Sequence, residues 1–309
     1  MHIFSKVTLS SVLFLQVISL ACISQPATEV YLFDISYEAY RPTLSNPRNI
    51  SENPGYDNQP AFLPDGKGLL YASTKEGQTD IVRYDLTSGT KVWLTRTSGS
   101  EYSPMVMPDG KHFSAVRLEV DGTQLLYKYP LDPGREEILV PNLKIGYYCW
   151  VDANTLATFV LGEPPTLQIV RPNNGKLLSF KKEKNVVLKE NIGRSIQKIP
   201  LTKEGISYIQ VEPNGKRVIY AMDSRTGARS RLIEPLEDSQ DLVWTSDGTI
   251  FMGQGSKLYR WTRGVNLDWE VIADLSVYNL SHISRLALHP SGKMLALVVA
   301  EEELAQNER

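Results

Sequence analysis

The sequence NQPAFLPDGK at residues 58–67 returns 44 residues later as YSPMVMPDGK at residues 102–111. Each copy reads as a short strand followed by a tight Pro-Asp-Gly-Lys turn, because Asp and Gly are the residues that such turns require. Near the carboxyl end, WTSDG at 244–248 and LHPSGK at 288–293 repeat the pattern, again 44 residues apart. A repeat of this length built from short β-rich runs is typical of β-propeller blades.

Each repeat contains four runs rich in β-branched and aromatic residues, separated by Gly, Pro, Asp and Ser. This pattern predicts four antiparallel strands per blade. In the first unit the predicted strands are 59–63, 68–73, 80–86 and 91–94. In the second and third they are 103–107, 112–118, 124–131 and 136–139, then 147–151, 155–161, 166–171 and 177–180, before a Lys-rich insertion at 181–191. In the fourth they are 195–199, 206–211, 217–223 and 229–233, and the fifth unit covers about 240–273.

Two strands remain at each end of the chain, at 29–36 and 47–51 and at 284–288 and 294–300. Neither pair makes a blade alone, and an open ring would leave unpaired sheet edges. We therefore predict an all-β, six-bladed propeller whose amino- and carboxyl-terminal strands share one blade. It forms a single domain over residues 26–300, with a polar tail at 301–309.

The amino terminus has the features of an export signal. Lys6 precedes the apolar run from Val7 to Ala21, which is short for a membrane-spanning helix. We predict a signal peptide at residues 1–24, cleaved after Ser24 or, as in a lipoprotein, before a lipidated Cys22. In the first case Cys22 leaves with the signal peptide. Either route places the protein in the periplasm or at the outer membrane, with membrane contact only through that lipid anchor.

Charge and residue types narrow the function further. The net charge is −2 and the isoelectric point about 6.1, so the sequence gives no sign of nucleic-acid binding. The four histidines are scattered, and we expect no metal site and no cofactor. Cys149 is the one cysteine besides Cys22, so we expect stability to come from the core, and Cys149 itself to be buried and inert. We expect a monomer.

The repeated Pro-Asp-Gly-Lys turn, followed by DIVRYDLTSG at 80–89, resembles the WD-like repeat of TolB-type propellers. That resemblance implies a six-bladed ring and a periplasmic scaffold that binds other envelope proteins. The mixed α/β domain that precedes the TolB propeller is not expected here, because the blades follow the apolar segment almost directly. Similar repeats occur in prolyl-oligopeptidase-like enzymes and in oligogalacturonate lyases, but the chain has neither a complete Gly-x-Ser-x-Gly motif nor clustered histidines.

The candidate binding residues lie in and near the loops that lead into each blade. Tyr and Arg beside acidic groups suit recognition, because aromatic surface desolvates well and Arg pairs with carboxylates. The alternative is that these loops merely line a wet channel. The candidates are Asp57, Glu101, Tyr102, Tyr147, Tyr148, Arg194, Asp241 and Arg285.

Other features are expected to be structural. Asp65 and Asp109 should accept backbone N–H groups within their turns, and Trp150 and Trp244 should pack between blades. The leading hypothesis is a non-enzymatic binding protein or scaffold of the bacterial envelope that recognises a protein or peptide, with no catalytic residues. The alternative is a carbohydrate hydrolase or lyase that uses the channel carboxylates Asp57, Glu101 and Asp241.

Overall fold

Antiparallel pairing arranges the described residues into six sheets of four strands each and one two-stranded hairpin. This computed structural model describes residues 27–39, 41–173, 176–177 and 186–301. The predicted signal peptide with Cys22, and the predicted tail beyond Glu301, lie outside the described residues. Within the described ranges the elements are strands and one 3-10 turn, as the four-strand repeat predicts.

The strands follow one another along the chain in the predicted order. Two of them, β1 (Glu29–Glu38) and β2 (Arg41–Asn49), precede the first complete blade. Blade 1 contains β3 (Asp57–Phe62), β4 (Gly68–Lys75), β5 (Gln78–Asp85) and β6 (Lys91–Trp93). Blade 2 contains β7 (Ser100–Val106), β8 (His112–Leu118), β9 (Gln124–Pro130) and β10 (Glu137–Val140).

Blade 3 carries an inserted two-stranded hairpin before its outer strand. The blade contains β11 (Ile145–Asp152), β12 (Thr155–Val160), β13 (Thr166–Val170) and β16 (Val186–Glu190), and the hairpin contains β14 (Pro172–Asn173) and β15 (Lys176–Leu177). Of the predicted outer strand at 177–180, Leu177 lies instead in the hairpin and 178–180 lie outside the described residues; the strand that pairs with β13 is β16.

The remaining strands complete the ring. Blade 4 contains β17 (Ile192–Lys198), β18 (Gly205–Val211), β19 (Arg217–Asp223) and β20 (Arg229–Ile233). Blade 5 contains β21 (Leu242–Trp244), β22 (Thr249–Gln254), β23 (Lys257–Thr262) and β24 (Glu270–Asp274), followed by a 3-10 turn at Leu275–Tyr278. The chain ends with β25 (Leu280–Leu288) and β26 (Met294–Glu301).

The last blade is shared by the two ends of the chain, as predicted. Its strand order is β2-β1-β26-β25, and β1 pairs with β26 so that Leu32 lies opposite Ala296 and Tyr31 opposite Leu297. Val30 and Leu32 are fully buried. The predicted outer strand at 47–51 is wrong in its bounds: β2 spans Arg41–Asn49, and its mostly exposed pattern lacks the alternation that marks a half-buried strand.

Six apolar clusters lie between successive blades, one at each interface. β4 illustrates how its sequence serves two of them, because side chains alternate between the faces of a strand. Leu69 and Tyr71 pack towards the shared blade, whereas Leu70 and Ala72 pack towards blade 2. The other four clusters join blades 2 and 3, 3 and 4, 4 and 5, and blade 5 with the shared blade. The core is therefore a ring of interfaces.

The repeat residues have the structural roles that the sequence predicts. Asp65 and Asp109 each accept a backbone N–H bond from the lysine two residues later, at 3.0 and 2.9 Å. The glycine after each aspartate has a positive φ, +70° at Gly66, which favours glycine over other residues. We call the face with these turns the lower face, and the face with the loops that connect one blade to the next the upper face.

Two tryptophans join neighbouring blades through matching contacts. The indole Nε1 of Trp150 in blade 3 donates to Ser114 Oγ in blade 2 at 3.0 Å. The indole Nε1 of Trp244 in blade 5 donates to Ser207 Oγ in blade 4 at 2.8 Å. The prediction that these residues pack between blades is confirmed. Cys149 beside Trp150 is buried, and burial raises the pKa of its thiol to about 12.

Candidate functional site

The inner strands of the blades surround a small central cavity of about 90 Å³. β3, β7, β11, β17 and β25 contribute lining residues, and blade 5 contributes Asp241, which directly precedes β21. The cavity therefore collects side chains from all six blades. The polar and charged residues in the lining are Gln59, Ser103, Tyr147, Tyr148, Arg194, Ser195, Gln197, Asp241 and Arg285.

Bulges in the inner strands turn some of these residues toward the channel. The pairing of β3 with β4 slips between Asn58 and Ala61, and that of β7 with β8 between Tyr102 and Met105. Gln59 and Ser103 occupy the same position in their repeats and have φ angles of +57° and +53°. Bulges redirect side chains in this way. The Ser103 backbone N–H donates to Gln59 Oε1 at 2.7 Å, which joins blades 1 and 2 beside the cavity.

Two arginines bring positive charge into the cavity. Arg285 is buried, its Nη1 lies 3.6 Å from Asp241 Oδ2, and its guanidinium lies over the Tyr147 ring at 4.8 Å from the centroid. Arg194 is half-buried, and its Nη2 donates to the Ser284 carbonyl at 3.1 Å. Burial lowers the pKa of Arg194, and the nearby charge of Arg285 lowers it further. The cavity lining therefore contains two guanidinium groups and one carboxylate, Asp241, which is paired with Arg285.

Tyrosines complete the mouth of the cavity on the upper face. Tyr56 and Tyr102 form an edge-on aromatic pair with centroids 6.3 Å apart. Burial raises the pKa of Tyr56, while the charge of Arg285 opposes this rise. Since its pKa stays above the ordinary phenol value, Tyr56 presents a neutral hydroxyl group to the site.

Three polar atoms around the cavity are buried without a hydrogen-bond partner among the described residues. They are Ser103 Oγ, Arg194 Nε and Ser195 Oγ. Buried polar atoms are normally paired, so each such atom calls for an explanation. All three can donate a hydrogen bond. The lining thus combines a surplus of donors with a surplus of positive charge.

Two of the predicted site residues lie beneath the mouth, between blades. Asp57 and Glu101 occupy the same repeat position and are fully buried. Burial raises the pKa of Asp57 to about 6, although hydrogen bonds from Ser73 and Asn53 oppose this rise. Burial raises the pKa of Glu101 to about 7, and the neighbouring Asp80 carboxyl contributes to this rise. A hydrogen bond from Thr97 opposes it.

The Asp80 and Glu101 pair joins blade 1 to blade 2 through two acidic groups. Asp80 Oδ1 and Glu101 Oε2 are both buried without a hydrogen-bond partner. Burial and the nearby Asp80 carboxyl both favour the protonated form of Glu101 by raising its pKa. This position suits a structural contact between blades.

The structure thus separates the predicted residues into two groups. Tyr147, Arg194, Asp241 and Arg285 lie together around the cavity, with Tyr102 beside it at the mouth. Asp57, Glu101 and Tyr148 are buried, and the Tyr148 hydroxyl donates to Ser114 Oγ at 2.9 Å between blades. Asp57 and Glu101 are therefore removed from direct contact with a partner at the surface, whereas Tyr148 contributes to the cavity lining.

Sequence reasoning missed Gln59, Ser103 and Ser195 as cavity residues. For the first two a signal was present, because they lie at matching positions 44 residues apart beside the prolines of the repeat. Ser195 carried no such signal, since blade 4 has no recognisable Pro-Asp-Gly-Lys turn. Neither a cluster of three or more metal-ligating side chains nor a helix suited to crossing a membrane occurs among the described residues.

The known proteins that resemble this chain share its fold and differ from one another in function. No family model matches the chain. A dipeptidyl-peptidase 5 from Porphyromonas endodontalis is 41% identical over 71 residues, which is 20% of this chain. The matched part is 10% of the peptidase, so this chain spans only a small part of that relative.

Solved structures with the same architecture include TolB proteins and an enzyme. TolB from Acinetobacter baumannii is 15% identical with a TM-score of 0.54, over 89% of this chain and 64% of that one. A protein from Agrobacterium tumefaciens assigned as TolB is 14% identical with a TM-score of 0.64, over 89% and 98% of the two chains. A gluconolactonase from Xanthomonas campestris is 11% identical with a TM-score of 0.58, over 90% and 98%. The chain therefore has the fold of a TolB-like six-bladed propeller, which also supports enzymes.

Proposed function

We propose that this protein is an exported, non-enzymatic binding protein of the bacterial envelope that receives a protein or peptide segment at the upper mouth of its channel. The observation that carries the proposal is the convergence of Tyr102, Tyr147, Arg194, Asp241 and Arg285 from five blades on one cavity. Tyrosine and arginine are the residues that most often dominate protein recognition energy. The rigid ring holds them in place, which lowers the entropic cost of binding.

The carbohydrate-enzyme alternative finds less support in the geometry. General acid and base catalysis on a sugar needs two carboxyl groups that reach the glycosidic bond. Of the three candidates, Asp57 and Glu101 are fully buried between blades, and Asp241 is paired with Arg285 at 3.6 Å. The carboxylate of Asp241 is thus already engaged by an arginine of the cavity. The raised pKa values of Asp57 and Glu101 are accounted for by their burial.

Selection from a peptide library tests the binding function. The purified mature protein is used to select binders from a displayed library, and the affinities of synthetic copies are measured by titration calorimetry. Tyr147→Ala should weaken binding by about tenfold or more, because it removes a ring at the mouth and the surface against which Arg285 packs.

Tyr37→Ala is the matched control. Tyr37 is an exposed tyrosine on the lower face, near the turn between β1 and β2. Its replacement by alanine should leave the affinity for the peptide within twofold of the wild-type value. Peptides that lose affinity with Tyr37→Ala and not with Tyr147→Ala would place binding on the wrong face. A library that yields no specific binder would count against a peptide-binding function.

A further inference from the structure

We infer that the cavity contains a subsite for a single carboxylate group of the bound ligand, held by Arg194. This inference rests on the proposed function and specifies its ligand as a peptide with an acidic side chain or a free carboxyl terminus entering the channel.

The charge balance of the cavity indicates an anion. Arg194 and Arg285 contribute two positive charges, and Asp241 contributes one negative charge that is committed to Arg285. One positive charge is left in a partly enclosed site. A buried charge without a counter-charge is unfavourable, and a ligand anion relieves that cost. A group with one negative charge makes the cluster neutral, whereas a phosphate with nearly two would leave excess negative charge.

The donor balance points to the same ligand chemistry. Ser103 Oγ, Arg194 Nε and Ser195 Oγ are buried donors without a partner among the described residues. A carboxylate accepts several hydrogen bonds and donates none. It therefore complements this lining better than an amide, a hydroxyl group or an amine.

The position of Arg194 makes it the residue that holds the anion. Arg285 is already engaged by Asp241 and by the face of Tyr147. Arg194 has one described contact, from Nη2 to the Ser284 carbonyl, so most of its fork of N–H groups is uncommitted. A planar guanidinium binds a carboxylate through two parallel hydrogen bonds, which fixes orientation as well as charge.

The arrangement predicts opposite effects of one substitution on stability and on binding. Arg194→Gln removes the unbalanced charge and should raise the thermal unfolding midpoint of the free protein. The same variant should lose the preference for a carboxylate. Arg194→Lys keeps the charge without the fork and should retain only part of the preference. Arg231→Gln, in the exposed outer strand of the same blade, is the matched control.

The test compares a selected peptide with its neutral analogue. Its free-acid form is measured against the carboxyl-terminal amide and against versions with each Glu or Asp replaced by Gln or Asn. The wild type and Arg231→Gln should bind the charged form at least tenfold more tightly than one of the neutral forms. The neutral peptide that binds more weakly than the charged form identifies whether the carboxyl terminus or a side chain of the peptide supplies the carboxylate. The affinities of Arg194→Gln for the charged and the neutral peptides should agree within twofold.

The two proposals fail in distinguishable ways. Equal affinity of all neutral and charged forms for the wild type, with binding still sensitive to Tyr147→Ala, would overturn the carboxylate subsite and leave peptide binding in place. If the library yields no peptide, thermal shifts are measured with sodium acetate and with galacturonate against acetamide at equal ionic strength. A shift that depends on Arg194 and is specific to galacturonate would support the subsite and overturn the peptide ligand. No Arg194-dependent shift with either anion would overturn the subsite.

Discussion

Removing the two amino-terminal strands should prevent the ring from closing. Deletion of residues 26–52 takes away β1 and β2 and exposes the edge of β26, with its row of unpaired backbone groups. It also removes Val30, Leu32, Phe33 and Ile35, each at most 5% exposed. These side chains belong to the clusters that join the shared blade to blade 1 and to blade 5. The deletion therefore damages two interfaces at once.

The size of the effect follows from that burial. A fully buried large apolar side chain contributes about 1.5–3 kcal/mol, so four contribute roughly 6–12 kcal/mol before the lost strand pairing is counted. The whole stability of a typical domain is about 5–15 kcal/mol. We expect the truncated protein to aggregate or to lose cooperative unfolding in urea, followed by tryptophan fluorescence and circular dichroism.

Two comparisons isolate ring closure from a general loss of core. Leu32→Ala should cost about 2–5 kcal/mol yet keep a single cooperative transition with an unchanged denaturant slope. Removal of the polar sequence from Leu304 onward should change the midpoint little. A truncation of residues 26–52 that is soluble and unfolds cooperatively would refute the closure by shared strands.

Four further outcomes are expected. The pKa of Glu101 is about 7 in the folded protein and 4.5 ordinarily, so between these pH values the folded state binds more protons than the unfolded state. The free energy of unfolding should therefore fall as pH rises from about 4.5 to 7. In Glu101→Gln it should fall less steeply. Trp244→Phe should cost about 0.5–1.5 kcal/mol in urea unfolding for its lost bond to Ser207, and a loss in binding without a loss in stability would contradict its structural role. Cys149 should react with a thiol reagent at pH 8 only as fast as the protein unfolds, because the fold buries the thiol and that burial also raises its pKa to about 12. If Cys22 is lipidated, Cys22→Ser should move the protein from the membrane fraction to the soluble fraction, and an unchanged distribution would reject the anchor.

The fold was largely predictable because each repeat contains recognisable turn residues and apolar strand segments. The Pro-Asp-Gly-Lys turns set the period, and unbroken apolar runs such as Leu69 to Ala72 mark strands buried on both faces. The errors fell on outer strands. β2 contains Pro42 and Pro47 and faces solvent, so neither alternation nor strand propensity marks its start. The outer strand of blade 3 follows a hairpin, and no residue of the repeat pattern predicts that hairpin.

The site was predictable only in part because membership depends on distant residues meeting in space. The pattern of Tyr and Arg in the connecting loops pointed to Tyr147, Arg194 and Arg285, which the cavity brings together. The same reasoning chose Asp57 and Glu101, and nothing in the sequence marked them as fully buried strand residues. That Arg194 Nε has no hydrogen-bond partner among the described residues could be seen only in the folded structure.

A crystal structure of the protein with its tightest selected peptide tests the binding account most directly. We predict that the peptide occupies the upper mouth and places one carboxylate oxygen within about 3 Å of the Arg194 guanidinium, the distance of a charge-assisted hydrogen bond. A peptide bound on the lower face, among the turns that contain Asp65 and Asp109, would contradict the account.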